Sequence, residues 1–282
     1  MLYVARRRVA EEPVSKLAIW SRRLALFAIA VVLLVIVIAN LGFLDPVPAI
    51  ASLAGSLFFA LVAMVLAFGA FVVIWRQGLR GLGLAVAALG IGVVMLAYPA
   101  YLGVRFYRLP AINDITTDPV DPPRFERLAR LRPRGANPVA YPGADVMKLQ
   151  RAAYPDIEPL LVSVPPAEAY EAAYAVIKKR RWLIVDERPP QTGRREGRIE
   201  AVAHTPIMGF RDDIVVRVRA AEDGARIDMR SASRYGRHDF GANASRLRSL
   251  SNDIDDAAGA EKAKPKPPPK PEPKKAPQRG RR

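Results

Sequence analysis

The sequence predicts a two-part protein: an α-helical membrane segment of three transmembrane helices, then an α+β soluble domain whose two helices pack on one face of an antiparallel sheet. Three observations predict it. Residues 24–44, 49–75 and 82–104 are apolar runs without a charge, and about 20 such residues carry a helix across a hydrocarbon core of roughly 30 Å. Between residues 159 and 257 the apolar spacing alternates between a helical period and a period of two. Beyond residue 258 the chain is nearly all Lys, Pro, Glu, Ala and Arg, with nothing from which to build a core.

The membrane segment comes first. Soluble helices of this length carry a polar stripe, and these runs have none. The first run is too long for a cleaved signal peptide, and two more follow it. Asp45-Pro46-Val47-Pro48 between the first two runs suits a tight helical hairpin. Arg6, Arg7, Arg8, Lys16, Arg22 and Arg23 precede the first run, the next loop has no Lys or Arg, and the loop after it has Arg76 and Arg80. Cations gather on the cytoplasmic side, so this bias puts the basic N-terminus (1–23) in the cytoplasm and the soluble domain on the periplasmic side. Arg105 and Arg108 after the third run oppose that orientation. Trp20, Trp75, Tyr98, Tyr101 and Tyr107 fall at the expected interfaces. No Asp, Glu, Lys, Arg or His lies inside the three runs, which favours an anchor (24–104) over a transport path. Gly83 with Ala87, and Ala88 with Gly92, are small-residue pairs that let helices approach closely.

Residues 105–158 read as an extended connector rich in Pro, Asp and Arg, with regular structure starting near residue 159. Residues 160–164 look like a short strand. Pro165 and Pro166 suit a first helical turn, and Tyr170, Ala173, Tyr174 and Ile177 share one helical face. Strands are expected at 182–187, 197–204, 213–219 and 225–233, with Ile199, Ala201, Ala203, Ile214, Val216, Val218, Ile227 and Met229 inward and Arg226, Asp228 and Arg230 toward a wet outer face. Glu222-Asp223-Gly224 signals a hairpin. Phe240, Ala244, Leu247, Leu250 and Ile254 return to helical spacing behind Asp239, a candidate cap. The expected order is β-α-β-β-β-β-α over residues 159–257.

Composition narrows the chemistry. With no cysteine, disulfides, thiol nucleophiles and Cys-based zinc or iron–sulfur sites are excluded. With only His204 and His238, a histidine cage is not expected, and no metal or cofactor is. The net charge of +16 does not mark a nucleic-acid face, because residues 261–282 alone hold six Lys and three Arg against two Glu. That tail (258–282) reads either as a solubilising disordered segment or as a polybasic arm for anionic lipid or wall polymer.

The densest polar stretch runs from Arg230, Ser231, Ser233 and Arg234 through Gly236 and Asp239 to Asn243 and Arg246. It joins a strand end to a helix N-terminus, where free N–H groups favour anions. These residues are the candidate ligand site, with Arg211, Asp212 and Asp213 as a secondary polar cluster. The alternative is a satisfied structural network. Open access to a cleft would favour the first reading, and bonding among themselves the second. Ser231, His238 and Asp239 are the residue types of a serine triad, but no nucleophile elbow is present and no catalytic residue is expected. Asp114, Asp118 and Asp121 lack the EF-hand glycine and glutamate, so turn chemistry is their expected use.

At these residues the chain resembles bacterial domain-of-unknown-function family 1499. The resemblance rests on 113–118, 197–201, 209–218 and the block from Arg230 to Arg246, covering about residues 109–256. It implies an envelope protein, often membrane-attached, with no known reaction or cofactor. Taken together, the expectation is a multi-pass protein of the bacterial inner membrane whose soluble domain is a non-enzymatic binding module for an anionic ligand or partner. The bilayer, and another membrane protein, are the expected partners. The alternatives are an enzyme on an envelope lipid or wall precursor, or an accessory subunit of a membrane complex.

Overall fold

The computed structural model describes residues 12–191 and 196–262. Arg6, Arg7, Arg8 and the basic tail from residue 263 lie outside the described residues. Three long helices come first: α1 (Lys16–Asn40), α2 (Pro46–Gln77) and α3 (Leu82–Arg108). Ser15 Oγ accepts from Ala18 N at the start of α1, Pro46 opens α2, and Gly78 closes it in the left-handed region.

Their packing is inverted relative to a soluble bundle. Ala18, Ala25, Ala63, Ala67, Ala70, Ala85 and Ala88 form the interior seam, while Phe58, Phe68, Val72, Val94 and other large apolar side chains face outward. Small residues inside let backbones meet, and large ones outside suit acyl chains. All three helices are long and apolar enough to cross a membrane. Of the two small-residue pairs, Ala88–Gly92 is the packed one: a Cβ at Gly92 would stand 2.4 Å from Met64 Cγ, whereas Gly83 meets nothing.

The helix ends sort to two sides. At one, Ser15 N donates to Arg80 O at 2.9 Å, tying the entry to α1 to the α2–α3 turn. At the other lies the soluble domain. It comprises β1 (Asp114–Thr116), α4 (Arg127–Leu131), α5 (Ala144–Ala153), β2 (Leu160–Val162), α6 (Pro166–Lys179), β3 (Leu183–Arg188), β4 (Glu196–His204), β5 (Arg211–Ala221), β6 (Gly224–Ser233) and α7 (Ala242–Lys262). The six-stranded sheet runs β1-β6-β5-β4-β3, antiparallel throughout. β2 also pairs with β6, along residues 225–227, while β1 takes residues 230–232.

One face carries the main core. Ile199, Ala201, Ala203, Ile214, Val216, Val218, Ile227 and Met229 meet Tyr170, Ala173 and Ile177 of α6 and Ala244, Leu247, Leu250 and Ile254 of α7. These are the inward residues expected from period. The other face is not wet. Phe125 and Leu128 pack on Val202, Val215 and Ala232, and Asp228 and Arg230 are buried beneath the same covering. The segment read as an extended connector supplies it, and it contains β1, α4 and α5. Its structure comes from the sheet it covers: Glu200, fully buried on β4, accepts from the backbone N–H of Glu126 and Leu128 at 2.7 and 2.8 Å and so starts α4. At its far end α7 runs on through residue 258, where a tail was expected to begin.

The domain is docked on the bundle. Asn40 Nδ2 donates to Ile207 O at 2.7 Å. Met208 packs against the small cluster of Val35, Ala39 and Ala49. The Phe106 ring near the end of α3 stacks on His238 at 5.2 Å, and His238 on Phe240 at 4.7 Å.

Candidate functional site

The polar stretch that ends β6 and begins α7 divides across the sheet. Successive strand residues point to opposite faces. Ser231 and Ser233 therefore meet α7, while Arg230 and Arg234 go under the covering segment.

On the helix face the contacts form a closed set. Ser231 Oγ donates to Asn243 Oδ1 at 2.7 Å and accepts from Arg246 Nη1 at 2.9 Å. Arg246 also donates to Asp212 Oδ2 at 2.5 Å. Asn243 Nδ2 donates to Ser233 Oγ and to Asn113 O, each at 3.0 Å. Asp239 accepts from the N–H groups of Gly241 and Asn243, both at 2.8 Å, and so caps α7. Burial pushes its carboxyl above the usual carboxylate range; the two N–H donors and His238 oppose the shift, and Asp212 adds to it.

On the other face Arg230, 2% exposed, makes a bidentate pair with Asp114 at 2.9 and 2.7 Å. It also donates to Pro123 O and Val139 O and lies 4.6 Å over the Phe125 ring. Asp213, fully buried, holds Arg234 at 2.7 Å and Arg132 at 2.6 Å. Arg211 belongs to neither set: its side chain is exposed and its Nη2 approaches the α1–α2 turn at Gly42. The seven residues picked from this one stretch thus serve two separate networks, in which each has a partner from the chain itself.

A third polar cluster carried no sequence signal except its alternation. Asp228 Oδ2 accepts from Arg217 at 3.0 Å and Arg219 at 2.7 Å, and Oδ1 from Arg226 at 2.8 Å. Arg219 stands directly opposite Arg226 in the β5–β6 ladder, a like-charge pair that needs carboxylates nearby. Asp118 and Asp121 supply them. Asp118 Oδ1 also accepts from Val120 N and Asp121 N, the expected turn chemistry. An open depression of about 830 Å³ borders this cluster, where Arg151, Arg219 and Arg226 face Asp118, Asp121 and Glu158. Its charges balance, so it exerts little net pull on an anion.

The groups with chemical potential are separated. The partners of Ser231 Oγ are an amide oxygen and a guanidinium, neither of which takes a proton from a hydroxyl. His238 accepts from Phe240 N through Nδ1 at 2.8 Å, which leaves Nε2 to donate to Leu109 O at 3.2 Å. His204 is depressed below the usual imidazole range by burial first and then by Arg211 and Arg234. Among the described residues no three His, Asp or Glu side chains stand where they could hold a metal ion.

Fold and site together define a class: an α+β domain whose β6–α7 polar stretch is bonded within the chain, attached to three helices that fit membrane embedding. Within that class the chain belongs to the family described as protein of unknown function (DUF1499), whose model matches residues 114–254. The match begins at β1 and ends near the close of α7, so the bundle lies outside it. No curated protein matches the chain.

Proposed function

We propose that this is a multi-pass protein of the bacterial cell envelope whose soluble domain is a non-enzymatic interaction module, held against the periplasmic face of the inner membrane to engage an anionic ligand or partner there. The observation that carries this reading is the saturation of the polar stretch that joins β6 to α7. Ser231, Asn243, Arg246 and Asp212 bond to one another, and Arg230 and Arg234 are neutralised by Asp114 and Asp213. Satisfied buried networks rigidify a fold, so in this reading the two networks are clamps that fix the shape of the module, and recognition falls to its surface. The Lys/Arg bias of the helix flanks supports the orientation.

Two experiments test it. Alkaline phosphatase fused after Asp256 is active if the domain lies outside the cytoplasm; an inactive phosphatase fusion, with a fluorescent protein at the same site that matures in the cytoplasm, overturns the orientation. A fluorophosphonate probe leaves the wild-type chain unlabelled. Labelling of wild type that Ser231→Ala abolishes would make Ser231 a nucleophile and the domain an enzyme.

A further inference from the structure

The buried arginines Arg217, Arg230 and Arg234 and the half-buried Arg132 and Arg246 each hold an aspartate. The arginines where α3 leaves the bundle do not. Among the described residues Arg105, Arg108 and Arg237 have no carboxylate partner, and the one side-chain bond of Arg105 is to its neighbour Tyr101 Oη, at 2.7 Å.

Beside Arg105 lies a second unmatched group. Tyr154, at the end of α5, is 5% exposed, and its hydroxyl is a buried polar atom without a hydrogen-bond partner. Buried hydroxyls are nearly always paired. This one faces Gly241, at φ +75° just before α7. The point where a Gly241 Cβ would stand is 2.7 Å from Arg105 Nη2, 3.3 Å from Tyr154 Oη and 3.0 Å from Leu109 Cδ1. A guanidinium and a phenol therefore stand close together against the Gly241 backbone, just before α7. Burial pushes the phenol above its usual range, Asp239 adds to this, and Arg105 and Arg248 oppose it, so it keeps its proton at neutral pH. The nearest acid, Asp239, is already committed to the N–H groups of Gly241 and Asn243. Arg105 Nη2 is a donor and the Tyr154 hydroxyl can act as one, so an oxyanion would accept from both.

From this juxtaposition we propose that Arg105 and Tyr154, beside Gly241, form a binding site for the phosphate of an anionic phospholipid headgroup. The position selects a lipid over a free solute. Arg105 is in the last turn of a helix that fits membrane embedding, and Tyr98, Tyr101 and Tyr107 are exposed along the same helix end, as interfacial aromatics are. Arg105 is half-buried and meets the headgroup first, while the phenol donates from beneath. Arg108 and Arg237 add uncompensated positive charge, which favours an anionic headgroup over a zwitterionic one. The site ties α3, α5 and the start of α7 to the bilayer surface. It deepens the proposed function, since it names the anionic ligand of a membrane-held module.

The test uses the full chain in detergent, read by native mass spectrometry with added phosphatidylglycerol, phosphatidylcholine or inorganic phosphate. Wild type retains phosphatidylglycerol in preference to phosphatidylcholine. Arg105→Gln and Tyr154→Phe each lower that retention about tenfold, the change from one lost charge-assisted hydrogen bond. Because the Tyr154 hydroxyl has no partner in the chain, Tyr154→Phe leaves the lipid-free melting temperature unchanged, and it decides alone if Arg105→Gln fails to fold. Equal retention of the two lipids, undiminished phosphatidylglycerol binding in Tyr154→Phe, or equal occupancy by inorganic phosphate overturns the site. Retention in detergent does not depend on which side of the membrane the domain faces, so this result and the fusion result fail independently.

Discussion

Arg230 is the strongest link between the sheet and the segment that covers it. Its guanidinium holds Asp114 of β1 through two hydrogen bonds, and Pro123 O and Val139 O through two more. Phe125 lies beneath it. Arg230→Ala leaves the Asp114 carboxylate, itself 3% exposed, without its counter-charge. Removing one partner of a buried ion pair costs about 3–5 kcal/mol. For a domain of this size about 1 kcal/mol moves the melting temperature by roughly 3 °C, so the loss is about 10–15 °C. The assay is thermal melting of the full chain in detergent, followed by far-UV circular dichroism. A second variant isolates the cause. Asp114→Leu combined with Arg230→Met removes both charges and keeps apolar volume, and such replacements are often neutral or stabilising. It should melt above Arg230→Ala, short of wild type, because Pro123 O and Val139 O still lose a donor. A shift below about 3 °C for Arg230→Ala would mean that the pair sits in a far wetter place than the structure gives it. A double variant no more stable than the single one would show that lost contacts, rather than an orphaned carboxylate, set the cost.

Two further predictions concern α7 and the β5–β6 hairpin. Burial holds the folded pKa of Asp239 above its ordinary value of 3.8, so its contribution to stability is full below that value and is lost as pH rises through the folded pKa. Asp239→Asn keeps a capping oxygen and cannot ionise; its melting temperature relative to wild type should therefore rise between pH 4 and pH 7, and a falling difference in the same melts refutes the assignment. Gly224 has φ +144°, and a Cβ there would stand 2.1 Å from Val162 O, so Gly224→Ala should strain the hairpin and push β2 off β6, costing more than about 2 kcal/mol; hydrogen exchange that leaves the β2 and β6 amides as protected as in wild type contradicts this.

Much of the chain was legible in advance because its signals are local. The three apolar helices follow from which residues water can solvate. The inward residues of β4, β5 and β6 follow from a period of two, and those of α6 and α7 from a period of 3.6. The Asp239 cap was legible too, since it acts on N–H groups within four residues of itself. Residues 109–158 were not legible. Leu128 and Phe125 are isolated apolar residues in a polar stretch, and their partners, Val202, Val215 and Ala232, are more than seventy positions away. The five-residue helix α4 is too short to hold itself, and Glu200 of β4 starts it from outside.

The sequence by itself determined that this chain has three membrane-length helices, that an α+β domain follows them, and which family that domain belongs to. Each of these is written in solvation and in short-range periodicity. Only the tertiary structure decided that the outer sheet face is covered, that Ser231 and Arg230, adjacent in sequence, serve networks on opposite faces, and that Tyr154 and Arg105 both pack against Gly241 near the exit of α3. Those outcomes depend on strand pleat and on contacts between distant segments. No local pattern encodes them, because the free energy that fixes them exists only once both partners are in place.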